Sequence, residues 1–159
     1  MPGIFKSGPW LALLMAFISG CAATPEASPQ SDAEAKRFES APRAAIIYLY
    51  RADTPNNGTT ATIWVDGRLV GETVQATYFR VLARPGHNRI SASGHDMGLL
   101  EIDTRENEVY FVAMQVLGDE ENSSSTVFRS MPPAAGKAEI LRCCTMLETW
   151  RPGQTRLPF

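Results

Sequence analysis

The sequence has 159 residues, of which 15 are basic and 17 acidic, so its formal net charge is −2. A slightly acidic chain without a basic cluster is not typical of nucleic-acid-binding proteins, and we exclude nucleic acid as a partner. The length predicts one domain, which can bury a core without a metal or disulfide staple.

The chain begins with an apolar run over residues 11–21, which follows a single lysine, Lys6. A short hydrophobic segment behind a positive charge and ahead of small residues is typical of an export signal. Residues 18–21 (ISGC) resemble the lipobox of bacterial lipoproteins, in which two small residues precede a cysteine. The resemblance implies cleavage between Gly20 and Cys21, a diacylglycerol on the Cys21 sulfur and anchoring to a membrane through that lipid.

Two other interpretations of this segment are weaker. A transmembrane helix needs about 20 apolar residues, twice the length of this run. An ordinary secretory signal cut near Ala22 or Ala23 would remove Cys21 or leave it without lipid. The resemblance to lipoproteins also implies sorting to the outer membrane, facing the periplasm, because Ala22 stands where the known retention signal is aspartate.

The segment after the cysteine is rich in Ala, Pro, Ser and acidic residues, which predicts a flexible tether about 25 Å long on average. The predicted organisation is a signal peptide (residues 1–20), a lipidated cysteine with its tether (21–42), a β-domain (43–149) and a frayed tail (150–159).

Turn sequences separate short strands throughout the predicted domain. Asp66-Gly67, between two alternating apolar runs, predicts a tight hairpin, because both turn residues need positive φ. Gly71 predicts a bulge or a close backbone approach. Pro85-Gly86 predicts a second tight turn.

The strand-like segments lie at close and regular spacing. They cover residues 44–51, 62–65, 69–70, 78–82, 88–93, 99–104, 109–117 and 126–131, with a last strand around 142–148. A short helix begins at Pro132-Pro133, since proline suits a first helical turn. The pattern predicts a mainly β fold, an immunoglobulin-like or transthyretin-like β-sandwich with one short C-terminal helix.

The order of these segments resembles a known family. The sequence YLYR (residues 48–51) is followed by WVDGRLVG (64–71), TYF (77–79) and PGH (85–87). With the lipobox-like start, they resemble the bacterial lipoproteins grouped as domain of unknown function 2846. The resemblance covers roughly residues 43–148 and implies a lipid-anchored β-domain. Its motifs are turn and core residues, so it implies no activity.

Histidine and cysteine are the usual candidates for metal binding. His87 and His95 lie about fifty residues from Cys143 and Cys144, and no metal-ligand spacing is present. We therefore predict no metal and no cofactor.

The residue types of a hydrolytic triad occur around His95, with Asp96 next to it and Ser91 or Ser93 nearby. Neighbouring histidine and aspartate cannot readily point at each other in a glycine-flanked turn, and the G-x-S-x-G elbow is absent. An envelope hydrolase that uses His95 is a minor alternative, and we predict that the protein is not an enzyme.

The adjacent cysteines, Cys143 and Cys144, would lie in an oxidising compartment. We favour two thiols, because neighbouring residues in an extended strand point to opposite faces. A vicinal disulfide and an intermolecular bridge stay open as alternatives.

Aromatic residues are concentrated in the predicted strands. Tyr48 and Tyr50 share one face, and of Tyr78 and Phe79 one should face outward. Such a row either binds a glycan or a protein, or is covered by other parts of the chain.

Together these observations predict a lipid-anchored, non-enzymatic protein of the bacterial cell envelope that binds a protein or cell-wall partner. A small-ligand or lipid carrier, with a pocket inside the sandwich, is the main alternative.

Overall fold

The computed structural model of the protein describes residues 24–52, 60–93, 98–117 and 125–150. The predicted signal peptide, Cys21, the pair His95 and Asp96, and residues 151–159 lie outside the described residues. Within the described ranges, no helix is both long enough and apolar enough to cross a membrane.

Two helices and nine strands make up the described fold. In chain order they are α1 (Pro29–Ala35), β1 (Ala45–Arg51), β2 (Ala61–Val65), β3 (Arg68–Thr73), β4 (Thr77–Ala83), β5 (Gly86–Ala92), β6 (Leu99–Thr104), β7 (Val109–Leu117), β8 (Ser125–Met131), α2 (Pro133–Cys143) and β9 (Thr145–Met146).

The strands form two sheets, so the predicted mainly β sandwich with one short C-terminal helix is confirmed. One sheet has five strands in the order β8-β7-β1-β4-β9, and the other has four in the order β3-β2-β5-β6. Most neighbours are antiparallel, but β1 pairs in parallel with β7, and β4 pairs in parallel with β9. The first strand of the domain, β1, is the central strand of the five-stranded sheet.

The main core lies between the two sheets. It consists of the inward side chains of both sheets, among them Ile47, Leu49, Ile63, Phe79 and Ile90, each fully buried. The alternation of apolar residues in β2, where Ala61, Ile63 and Val65 are buried, places one face of that strand in this core.

A second apolar cluster covers the outer face of the five-stranded sheet. Tyr48, Tyr50, Tyr78 and Phe111 all belong to it, and none is more than 1 % exposed. Both faces of β1 are therefore buried, and so are both faces of β4 from Thr77 to Phe79. The alternative of an exposed aromatic row is wrong, because helices and the N-terminal segment cover these rings.

The described part of the predicted tether packs on the domain. Residues 29–35 form α1, and Phe38 is 8 % exposed, with its ring centroid 5.2 Å from that of Tyr48. The expectation of a flexible segment over residues 21–42 is thus wrong from residue 24 onward. The polar composition of this segment gives no sign of the two residues, Ala35 and Phe38, that pack on the sheet.

The carboxylate of Asp32 fixes α1 to the last strand, β9. Asp32 accepts hydrogen bonds from the Met146 N–H (2.8 Å) and from the Tyr78 hydroxyl (3.0 Å), and it pairs with Lys36 at 2.7 Å. Burial acts to raise the pKa of Asp32, but the hydrogen bonds from Lys36, Met146 and Tyr78 outweigh it and hold that pKa below its usual value.

The turns position the strand ends. Asp66 and Gly67 connect β2 to β3 with φ angles of 51° and 72°. Gly86 begins β5 with a φ of 117°, directly after Pro85. At Gly71 an added Cβ would lie 2.9 Å from the Phe79 ring, so this glycine permits a close approach between the sheets.

Candidate functional site: a basic groove beside β4

One edge of the five-stranded sheet is only partly covered. β4 pairs with β1 along its whole length, from Thr77 to Ala83, but β9 covers the other side only at Thr77 and Tyr78. The rest of that side has no neighbouring strand among the described residues. An incompletely paired strand of this kind is a place where another polypeptide can bind.

Backbone hydrogen bonds show which groups of β4 point to the open side. The carbonyls of Ala76 and Tyr78 accept from the N–H groups of Thr145 and Leu147, at 2.9 and 2.8 Å. Alternate residues of an antiparallel strand direct both backbone groups to the same side. The next backbone groups on that side therefore belong to Arg80 and Leu82.

A guanidinium from the other sheet supports this direction. Nη2 of Arg68, the first residue of β3, donates to the Leu82 carbonyl at 3.1 Å. Arg68 thus bridges the gap between β3 and β4 at one point.

We call the space between these strands the β4 groove, and it has two adjoining parts. A cleft of ≈ 290 Å³ is bordered by Val70, Arg80 and Trp150, and a cleft of ≈ 630 Å³ is bordered by Arg84 and Asn88. Both clefts are lined by Arg68 and Leu82, so they form a continuous depression along the open side of β4.

Trp150 bounds one side of the groove. Its N–H donates to the Val70 carbonyl at 2.7 Å, which places the chain that follows β9 against the edge of β3. As far as Trp150, that segment leaves β4 after Leu147 and forms no backbone hydrogen bond with Arg80 or Leu82.

The charge of the β4 groove is positive. Arg68, Arg80 and Arg84 line it, and none of the three forms an ion pair within 4.0 Å among the described residues. The Arg80 guanidinium also hydrogen-bonds to Tyr48, so Arg68 and Arg84 carry most of the charge that faces the groove. Asp66 also lines the larger cleft, but its Oδ1 accepts from the Arg89 N–H at 2.7 Å. The side chain of Leu82 is 54 % exposed and adds an apolar surface between the cations.

Asn88 packs against the turn that contains Arg84. Its Nδ2 lies 3.0 Å from the Arg84 carbonyl and 2.8 Å from Thr104 Oγ1, and the residue is 1 % exposed. Its Oδ1 has no hydrogen-bond partner within the described ranges. A buried amide that ties two strands together makes this wall of the groove rigid.

The structure places His87 apart from any metal cluster. Its Nδ1 lies 3.1 Å from Asp103 Oδ1 and its Nε2 lies 3.7 Å from Glu101 Oε2, all at the surface. The hydrogen bond to Asp103 raises the pKa of His87 above its usual value. No group of three or more potential metal ligands occurs within the part of the chain that the structure describes.

The described residues give no support to a catalytic triad around His95. Ser93 Oγ accepts from the Thr62 N–H at 3.1 Å and so ties β2 to the end of β5. Ser91 lies within β5, paired with Leu99 of β6. His95, the required base, lies outside the described residues.

Cys143 and Cys144 form a vicinal disulfide, with their Cα atoms 3.7 Å apart. The expectation of two thiols assumed that both residues lie in one extended strand. Cys143 instead ends α2 and Cys144 follows in an extended conformation, so the two sulfurs are not on opposite faces of a strand. The predicted last strand is correspondingly short, with β9 at Thr145–Met146.

The β4 groove has no recognisable signal in the sequence. Its three arginines are spread over β3, β4 and the following turn, and nothing in their spacing links them. The groove depends on how few residues of β9 pair with β4, which no local sequence pattern indicates.

Comparisons with known proteins give little more. No protein-family model matches the chain, and no solved structure matches it. A protein of Haemophilus influenzae described as uncharacterized is 27 % identical over 97 residues, which is 60 % of this chain and 58 % of that protein. The similarity thus spans little more than half of either protein. The resemblance to domain of unknown function 2846 stays a prediction.

Proposed function

We propose that this protein is a lipid-anchored component of the bacterial cell envelope whose β-sandwich domain binds a protein or cell-wall partner without catalysing a reaction. The observation that carries the proposal is the sequence ISGC at residues 18–21, at the end of a short apolar run. The lipid on Cys21 holds the protein in the membrane, and Ala22 directs it to the outer membrane, facing the periplasm.

The β4 groove supports binding as the role of the domain. It combines an exposed leucine, uncovered backbone groups and three arginines that lack ion pairs among the described residues. Such features suit recognition of a partner.

The carrier alternative finds less support. A small-ligand or lipid carrier needs a pocket between the sheets, whereas the described inward side chains of both sheets pack into one buried cluster. The hydrolase alternative depends on His95, which lies outside the described residues.

Palmitate labelling tests the anchor. In a bacterial host grown with labelled palmitate, we expect the wild-type protein to carry label and Cys21→Ser to carry none. Cys143→Ser is the matched control, because it removes a different cysteine and should keep the label. A wild-type protein without label would refute the lipoprotein proposal.

Site-specific cross-linking in intact cells tests the binding role. A photoreactive amino acid at Leu82 should capture the same envelope component repeatedly, whereas the same group at Leu141, which is 60 % exposed on α2, should not. If photoreactive groups at several exposed positions of the domain capture only varying background proteins, the binding proposal fails.

A further inference from the structure

We propose that the β4 groove binds an extended acidic polypeptide segment, which adds to the five-stranded sheet as a further strand beside Arg80 and Leu82. This inference rests on the proposed binding function and names the chemistry of the partner.

The backbone provides the first argument. Arg80 and Leu82 direct their N–H and C=O groups to the open side of β4, and of these groups the Leu82 carbonyl already accepts from Arg68. An extended peptide could continue the ladder that β9 begins at Thr77 and Tyr78. Strand addition of this kind gains affinity from main-chain hydrogen bonds.

The edge of β4 differs from that of β3, which other segments of the chain cover. β3 is also an edge strand, but Thr24 Oγ1 accepts from its Glu72 N–H at 2.7 Å, and Trp150 donates to its Val70 carbonyl at 2.7 Å. The segments before α1 and after β9 thus cover the edge of β3. Among the described residues, they leave uncovered the neighbouring edge of β4, which faces the same groove.

The side chains define the class of partner. Arg68 and Arg84 line the groove without carboxylate partners among the described residues, and Leu82 lines the same cleft. Arginine pairs strongly with carboxylates, and its planar group can donate two hydrogen bonds at once. In a segment where acidic and apolar residues alternate, the acidic residues would pair with the arginines and the apolar residues would pack on Leu82.

The probes are two pools of nine-residue peptides, blocked at both ends. In the acidic pool Glu or Asp alternates with Val, Leu or Thr, and in the basic pool Lys or Arg replaces every acid. We expect the full-length protein to bind the acidic pool and not the basic pool, measured by fluorescence anisotropy. Amide hydrogen exchange should then show at least about tenfold slower exchange at Arg80 and Leu82, since new main-chain hydrogen bonds protect amides.

Variants separate charge from the strand contact. Arg68→Ala and Arg84→Ala should each weaken binding about two- to fivefold, because each removes one exposed charge pair. Arg129→Ala is the matched control, because Arg129 is exposed on β8 at the opposite edge and should leave binding unchanged. Leu82→Pro should also weaken binding, since it removes an N–H that β1 does not use.

Four outcomes would overturn the inference: no binding of either pool, equal binding of both pools, acidic binding without protection of Arg80 and Leu82, and a peptide-free dimer that already protects them. Because the assay needs neither the lipid nor a natural partner, its failure is distinct from failure of the palmitate and cross-linking experiments.

Discussion

Replacing Phe38 tests whether the segment before β1 is part of the folded domain. The Phe38 ring is 8 % exposed and lies against Tyr48 and Phe111, with centroid distances of 5.2 and 5.6 Å. The Lys137 ammonium lies 5.6 Å from the centroid of the same ring. Phe38→Ala would leave a cavity between α2 and the outer face of the five-stranded sheet.

The expected loss is large compared with the stability of a domain. Truncating a buried phenylalanine to alanine costs about 3–5 kcal/mol, whereas a typical domain has about 5–15 kcal/mol in all. With a urea m-value of about 1.5–2 kcal/mol/M, the unfolding midpoint should fall by about 2 M. Phe38 has a φ of 55°, but alanine meets the same backbone restriction, so the difference reports the lost side chain.

Urea unfolding followed by tryptophan fluorescence is the measurement. Phe38→Leu serves as the comparison, because it keeps most of the apolar volume and should lose less than half as much stability. If residues 24–42 were a tether, Phe38→Ala would change the free energy of unfolding by less than about 0.5 kcal/mol. A result that small would refute the assignment of this segment to the core.

The remaining predictions concern α2 and the surface of β5. Gly136→Ala should destabilise the protein by about 1–2 kcal/mol in the same assay, because the new Cβ would lie 2.5 Å from Phe111 and overpacking outweighs the helix propensity gained; increased stability would contradict the packing. In an NMR titration, the pKa of His87 should lie above 6.5 and fall towards it in Asp103→Asn. Since the pKa of His87 is raised in the folded state, its pair with Asp103 stabilises the protein fully below pH 6.5. This stabilisation is lost as the pH rises through the folded-state pKa of His87. An unchanged His87 pKa in Asp103→Asn would exclude the contact.

Turn chemistry explains why the strands could be predicted. Asp66-Gly67 takes the positive φ angles that its sequence indicates, and the alternating residues of β2 bury one face. These features depend on neighbours in sequence, so a local pattern is enough to identify them.

The covering of the five-stranded sheet could not be predicted in the same way. Tyr48 and Tyr78 lie on one face of β1 and β4, but only the positions of Phe38 and the two helices show that this face is buried. A single aromatic residue in a polar segment gives no periodic signal. The open side of β4 has the same difficulty, because it is defined by the two residues of β9 that pair with it from far along the chain.

The position of Thr24 at the edge of β3 limits how far the domain can stand from a lipid anchor. Its Oγ1 accepts from the Glu72 N–H at 2.7 Å, and three peptide units separate it from Cys21. A fully extended chain spans about 3.3–3.6 Å per residue, so a lipid on Cys21 would keep this edge within about 10 Å of the bilayer instead of the 25 Å of a free tether. The β4 groove opens beside β3, so a lipid on Cys21 would hold the groove close to the bilayer as well. With such an anchor, a partner held in the same membrane would have a short path to the groove.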